Sequence, residues 1–313
     1  MTNIHDIARL TGFSVSTVSR VINHQNYVST ATRPAIEKVI RELDYAPNAV
    51  ARDLSRGQTF NVGVVLPHAD HPYFTQLLHG IMAAAFAANY HVVLLPSKWD
   101  AQIELSYLEA LRQHAYDALI FTSHGMPLAT LSQYQQYGRI VVCEDPHASG
   151  LPAAYAERRT TYQQALAQFK RQGHTRIALL TSRPLAVSAT TQAMVAAYQD
   201  VYQAPLPPER LVTGVITADD GEAAGKQLQT QTPAITAVLT NGDEVAVGFR
   251  RALIATGQAV PALIGQEHQL AGEALGLPTI DHHFDLVGQH AFELAINDQL
   301  ANVAVPSEFL PQP

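Results

Sequence analysis

The sequence predicts a small all-α head followed by a larger α/β body built from two parallel sheets. Three observations carry this: apolar residues recur at helical spacing as far as Leu43, short β-rich runs alternate with helical stretches from Asn61 onward, and the charge divides where the pattern changes. Residues 1–60 hold seven Lys/Arg (Arg9, Arg20, Arg33, Lys38, Arg41, Arg52 and Arg56) against five Asp/Glu, a net of +2, whereas residues 61–313 hold 13 against 22, a net of −9. The overall charge of −7 alone would argue against a nucleic-acid partner, because phosphate needs local positive potential. The division removes that objection for the head.

Within the head, Thr2 is placed to cap a short helix whose Ile4, Ile7 and Ala8 share one face, and Thr11-Gly12 breaks the pattern. Ser14 is the next cap, for a helix that turns Val18, Val21 and Ile22 inward and leaves Val15, Ser16, Ser19 and Arg20 outward. Short outward side chains let such a helix sit deep in a groove. Thr30 would cap a third helix, with Ile36, Val39, Ile40 and Leu43 forming one buried stripe. The unit is a three-helix bundle with a helix-turn-helix at its front, a geometry that three small packed helices also satisfy. Asn48 can cap one more short helix, Ala49 to Ser55, closed by Gly57 and too short to hold alone in water, so its order depends on a partner.

In the body the predicted strands are Val62 to Leu66, His91 to Leu95, Ala118 to Thr122, Ile140 to Cys143, Ile177 to Leu180, Leu211 to Ile216, Ala237 to Thr240 and Ala262 to Gly265. Ligands of open α/β sheets bind beyond the carboxyl ends of the strands. The loops starting at His68, Pro96, Ser123, Glu144, Thr181, Asn241 and Gln266 are therefore expected to line one cleft, with Ser123 a candidate contact and Trp99 a stacking platform for the apolar face of a ligand.

Composition narrows the function classes. The 313 residues suffice for about two domains, and 47% apolar with 15% charged residues exclude disorder, collagen and coiled coil. No apolar run approaches the roughly 20 residues that cross a bilayer. The start MTNIHDIARL has no basic segment leading into an apolar stretch, and the single Cys143 can form no intrachain disulfide, so a cytoplasmic protein is expected. Among the 14 histidines, Asp281-His282-His283-Phe284-Asp285 is the densest cluster, but adjacent histidines on a strand face opposite ways and no spacing completes a metal site. No phosphate loop or nucleophile elbow is present, so neither a cofactor, a metal nor catalysis is expected.

Three runs then stand out: Ile4-His5-Asp6-Ile7-Ala8, Gly12-Phe13-Ser14-Val15-Ser16-Thr17-Val18-Ser19-Arg20-Val21-Ile22-Asn23, and Tyr45-Ala46-Pro47-Asn48-Ala49-Val50-Ala51-Arg52-Asp53-Leu54. Together they resemble the head and hinge of the lactose/galactose repressor family. His71-Pro72-Tyr73-Phe74, Gln172 to Ala178 and Asn241 to Gly248 extend the resemblance over a body similar to periplasmic sugar-binding proteins. The resemblance implies that the second helix enters the major groove, with Val15, Ser16 and Arg20 facing bases and Thr17 and Ser19 on phosphates. It implies that the hinge, through Asn48, Arg52 and the wedge Leu54, pairs with its twin across a homodimer on palindromic operator DNA. Asp53 departs from the small polar residue common there.

For the body the resemblance implies ligand contacts at His71, Tyr73, Phe74, Asp243 and Glu267, the last standing where aspartate is usual. Two departures matter. The stretch Leu185 to Met194 has none of the arginines usual for an effector, and the paired aspartate-asparagine before the Tyr162 helix appears as Ala156-Glu157 or Glu157-Arg158. An anionic effector thereby loses its natural partner, with Arg183 as the remaining substitute, and a neutral sugar, an unusual ligand or none stays open. The expected organisation is a head at 1–47, a hinge at 48–60 and a body at 61–313, with lobe 1 at 61–157 and 282–300 and lobe 2 at 158–281 and 301–313. The function expected is a DNA-binding regulator, a repressor of a carbohydrate-utilisation operon controlled by a small ligand. The alternatives are control by a protein co-regulator of the catabolite type, or a solute-binding protein or sugar enzyme sharing the body.

Overall fold

The computed structural model describes residues 3–29, 31–46, 57–68, 71–231, 234–297 and 301–311. Its contacts divide the chain into two compact units, Met1–Thr59 and Phe60–Pro313.

In the first unit, α1 (Ile4–Thr11) starts at Asn3 rather than Thr2: the Asn3 side chain accepts from the backbone N–H groups of His5 and Asp6, and the Asp6 carboxylate accepts from the Asn3 N–H in return. It ends at Gly12, whose φ of 72° lies in the left-handed region that a side chain disfavours. Helix α2 (Val15–Ile22) is capped by Ser14, which accepts from Thr17 N–H at 3.2 Å. Ahead of α3 (Thr32–Glu42) the Ser29 hydroxyl accepts from Thr32 N–H, while Thr30 lies outside the described residues. Ile7, Ala8, Val18, Val21 and Ile36 form the buried core, with Val39, Ile40 and Leu43 packed on it as the stripe predicts. Residues 48–56 of the hinge, with Asn48, Arg52 and Leu54, also lie outside the described residues.

The body holds a six-stranded sheet in the order β11-β5-β4-β3-β1-β2 and a four-stranded sheet in the order β7-β6-β8-β9, both parallel. The first contains β1 (Asn61–Leu66), β2 (His91–Pro96), β3 (Ala118–Phe121), β4 (Arg139–Val142), β5 (Ala153–Glu157) and β11 (Asn302–Pro306); the second contains β6 (Ile177–Leu180), β7 (Leu211–Val212), β8 (Ala237–Leu239) and β9 (Ala262–Ile264). β10 (Thr279–Asp281) and β12 (Glu308–Leu310) form an antiparallel pair, tied to the second sheet by Gly265 N–H to Pro278 O and Glu267 N–H to Ile280 O. Apolar clusters cover both faces of each sheet, which is why the strands read as continuous apolar runs. Helices Pro72–Ala87 and Phe284–Ile296 pack backbone to backbone: a Cβ on Gly80 would lie 1.9 Å from Asp285 O, and one on Gly288 2.2 Å from Leu77 O.

Two expectations need correction. Residues 301–313 do not all belong to the second lobe: Asn302–Pro306 pairs in parallel with Ala153–Glu157 at the edge of the first sheet, and only Glu308–Leu310 crosses over. The predicted strand Leu211 to Ile216 shrinks to Leu211–Val212, because Gly214 at φ 79° turns the chain away. Among the described residues the chain thus passes between the lobes three times, at Arg158, His282 and Ser307. No described helix is long and apolar enough to cross a membrane.

Candidate functional sites in the head and the body

On α2, Arg20 is exposed and makes no ion pair among the described residues. Ser16 is also exposed, its hydroxyl 2.9 Å from that of Ser14, and Thr17 places its own hydroxyl 2.9 Å from the same Ser14 oxygen. Half-buried Ser19 accepts from the Asn23 side chain at 3.3 Å. Val15 departs from its expected outward position: it is half-buried against the helical core, since the first residue of α2 also closes the turn over α1. Tyr27, which sequence reasoning passed over, is 90% exposed. An aromatic in the polar run Asn23 to Tyr27 was the available signal.

In the body a cleft of about 550 Å³ lies between the lobes, lined by residues of both. Of the loops expected to form it, those at His68, Ser123, Glu144, Asn241 and Gln266 contribute their first residues, whereas Pro96 and Thr181 stay off the wall. His71, Tyr73, Phe74, Trp99, Ser123 and Glu267 all line it. His71 caps helix Pro72–Ala87, its Nδ1 accepting from Tyr73 N–H at 3.2 Å. The Tyr73 phenol donates to Thr122 O at 3.0 Å, and burial pushes its pKa up. The Trp99 indole donates to the Ser123 hydroxyl at 2.8 Å, held by a left-handed backbone at Lys98 and Trp99.

Asp243 does not reach the cleft. As the first residue of helix Asp243–Ala255 it is wholly buried, accepts from Gln269 N–H and the Thr279 hydroxyl, each at 2.7 Å, and is packed against Gly265 and Gly272. Burial raises its pKa to about 6 against the opposing effect of those bonds. The neighbour that does line the wall is Asn241, whose Nδ2 donates to Val215 O at 2.8 Å and whose buried Oδ1 has no hydrogen-bond partner among the described residues.

The charged groups of the cleft are unevenly satisfied. Burial pushes the Glu267 carboxyl well above the carboxylate range, Asp243 adds to the rise and Arg158 opposes it; Gln269 donates to the same carboxyl. His124 faces acceptors with both ring nitrogens, Met126 O and the Glu144 carboxylate, the latter at 2.6 Å. Burial works against its charge, but Glu144 outweighs it and raises the pKa, so His124 and Glu144 form an internal ion pair. Glu104, itself buried, holds the loop beneath them by accepting from Gly125 and Met126 N–H. Arg183 lies 5.0 Å from the Trp99 ring centre and donates to His124 O, so it links the second lobe to the first.

At the crossings, Arg158 lies over the rings of Tyr73 and Phe284, 5.7 and 5.0 Å from their centres. Burial disfavours its charge, but the phenol oxygens of Tyr162 and Tyr73 and the Glu267 carboxyl overcome that and raise its pKa. His282 bridges Ser307 and Gln266, each at 2.8 Å, and Tyr162 donates to the same Gln266 oxygen. Burial drives His282 far below its ordinary pKa, so it serves there as a neutral strut between crossing segments. Cys143 is buried on the wall with its thiol pushed up to about 12. Among the described residues no group of three or more His, Cys, Asp or Glu is placed to hold a metal ion.

Comparisons with known proteins agree with both units. Residues 3–48 match the model for "Bacterial regulatory proteins, lacI family", and residues 59–312 match "Periplasmic binding proteins and sugar binding domain of LacI family". Catabolite control protein B of Bacillus subtilis (strain 168) is 38% identical over 309 residues, spanning 99% of each chain. The ribose operon repressor of Escherichia coli (strain K12) is 29% identical over 307 residues, 95% of this chain and 93% of its own. A crystal structure of the lac repressor dimer bound to operator and the anti-inducer ONPF shares the fold, with a TM-score of 0.83 at 20% identity, covering 99% of this chain and 98% of that one. The chain belongs to the LacI family of bacterial regulatory proteins.

Proposed function

We propose that this protein is a cytoplasmic, homodimeric transcriptional repressor that binds a palindromic operator of a carbohydrate-utilisation operon and is controlled by a small ligand in the inter-lobe cleft. The observation that carries the reading is the cleft itself: its wall is shared by both lobes and includes Arg158, at one of the places where the chain crosses between them. A ligand that touches both walls favours one angle between the lobes. Any such ligand shifts the equilibrium only by its differential affinity for the two states. The angle in turn sets the separation of the two hinges, and so whether they order on DNA.

On the operator, Arg20 and Ser16 read base edges, Arg20 through the fork that donates to guanine O6 and N7 together. Thr17 and Ser19 hold phosphates, joined by the exposed phenol of Tyr27. Val15 offers the base at most one edge of its side chain, the rest being committed to the core. Asn48, Arg52 and Leu54 act at the hinge, Leu54 as the wedge that kinks a flexible central step. In the cleft His71, Tyr73, Phe74, Trp99, Ser123, Asn241 and Glu267 contact ligand, and Asp243 supports the wall from behind.

The likeness to catabolite control protein B favours a second reading, control by a protein co-regulator. The test is a duplex selected from a random library by the full-length chain, followed by anisotropy while sugars or the phosphocarrier protein are added. Binding about a thousandfold tighter than to a scrambled duplex, shifted by a sugar, is expected. A shift by the phosphocarrier protein alone selects the second reading, and equal affinity for both duplexes defeats the repressor reading.

A further inference from the structure

Four acids line the cleft against three arginines, and two of those arginines stand without a carboxylate in ion-pair contact. Each acid there is engaged: Glu144 with His124, Asp145 with His147, Glu157 with the N–H of Arg159, and Glu267 with Gln269. Arg159 has its own carboxylate in Asp200 at 2.8 Å. Arg158 and Arg183 line the same cleft and neither has an ion-pair partner among the described residues. Of the two, Arg158 is set deeper. Aromatic rings from the first lobe flank it, and its contact with the Tyr162 phenol brings in the second.

A guanidinium carries five donors in a planar fork, and Arg158, held against aromatic rings, has the Tyr162 phenol and the more distant Glu267 carboxyl beside it but no carboxylate in ion-pair contact. An anionic oxygen pair returns both the charge and the acceptors in matching geometry. We propose that the ligand of this cleft is an anionic carbohydrate, a sugar bearing a phosphate or a carboxylate, whose charged group pairs with Arg158. Arg183 assists from the second lobe, and the unpartnered Oδ1 of Asn241 accepts a hydroxyl of the sugar. The inference rests on the reading of the cleft as an effector site and adds the charge of the effector.

Trp99 is the only tryptophan of the chain and stands on the cleft wall, so its emission reports occupancy directly. Full-length protein is titrated with matched ligands: glucose, glucose 6-phosphate and gluconate, and ribose with ribose 5-phosphate, with inorganic phosphate alone as a control for simple ion binding. At least one anion should bind about tenfold or more tighter than its neutral counterpart, the scale of a charge-assisted bidentate pair. Phosphate against gluconate distinguishes the two sources of charge. Arg158→Gln should abolish the preference and Arg158→Lys should restore part of it, with thermal unfolding recorded to establish that each variant is folded. Should Arg158→Gln fail to fold, the paired titration on the native chain decides alone.

Neutral sugars binding as tightly as their anions would overturn the anion inference and leave the cleft reading intact. So would an anion preference that survives Arg158→Gln. If no member of any pair perturbs Trp99, the cleft reading falls and the inference with it.

Discussion

Glu104 offers the sharpest structural test of how the cleft is built. Its side chain is wholly buried, and its two oxygens accept from Gly125 N–H at 2.8 and 2.9 Å and from Met126 N–H at 3.0 Å. The loop so held carries Ser123 and His124, and Gly125 lies so close to Trp99 that a Cβ there would be 2.1 Å from the Trp99 carbonyl oxygen. Glu104→Ala removes charge-assisted bonds and leaves the buried Met126 N–H without an acceptor, at a total cost of about 3 kcal/mol. For a unit the size of the body this lowers Tm by roughly 6–12 °C. Thermal unfolding followed by Trp99 emission reports the body alone, because the head has no tryptophan. The native emission should also shift to the red as the Trp99–Ser123 bond loosens. Glu104→Gln should fall between, since it keeps one acceptor but turns an N–H toward a donor. A Tm within about 1 °C of the parent with unshifted emission would show that the loop is held by something else, and the reasoning from buried acceptors would be refuted.

Three further outcomes follow from the same reasoning. Arg20→Ala should relax preference at one base pair of each half-site by about 1–3 kcal/mol, and an equal loss on every sequence would confine Arg20 to phosphate. Leu54→Ala should reduce operator bending and specific affinity with little change in nonspecific binding; unchanged bending would remove the wedge. For Asp243 the folded carboxyl titrates at about 6 against an ordinary 3.8, so its stability contribution is lost as pH rises from the lower value through the higher. The loss reaches about 3 kcal/mol in all, roughly 1.3 of it between pH 5 and 7. The difference in unfolding free energy between the parent and Asp243→Asn should therefore narrow with rising pH, and a pH-independent difference contradicts the assignment.

Much of the fold was legible because a parallel sheet covered on both faces selects uninterrupted apolar strands. Asn61–Leu66 and Ile177–Leu180 announce themselves in this way. Ala153–Glu157 does not, since AAYAE has little β-branched content and owes its conformation to Asn302–Pro306 beside it. Asn302–Pro306 itself was assigned to the wrong lobe, because a terminal strand is placed by its partner and not by its own pattern. Cleft residues near the ends of β1, β2 and β3 followed from strand polarity alone. The expected contact at Asp243 falls two residues earlier: Asn241, in the loop before the helix, stands on the cleft wall, whereas Asp243, the first helical residue, is buried against Gly265 and Gly272. Arg158 was visible only as a departure from the family pattern, and its meaning depends on Tyr73, Phe284 and Tyr162, which tertiary packing brings together.

In the proposed function, occupancy of the cleft and binding of the operator are two ends of one equilibrium. Such coupling is reciprocal: whatever factor the ligand applies to operator affinity, the operator must apply to ligand affinity. The direct measurement is the ligand dissociation constant, read from Trp99 emission with and without saturating operator duplex, against the operator dissociation constant with and without saturating ligand. The same factor is expected from both directions, about fivefold or more. A ligand that saturates Trp99 while leaving operator affinity unchanged, with operator leaving ligand affinity unchanged in turn, would contradict it.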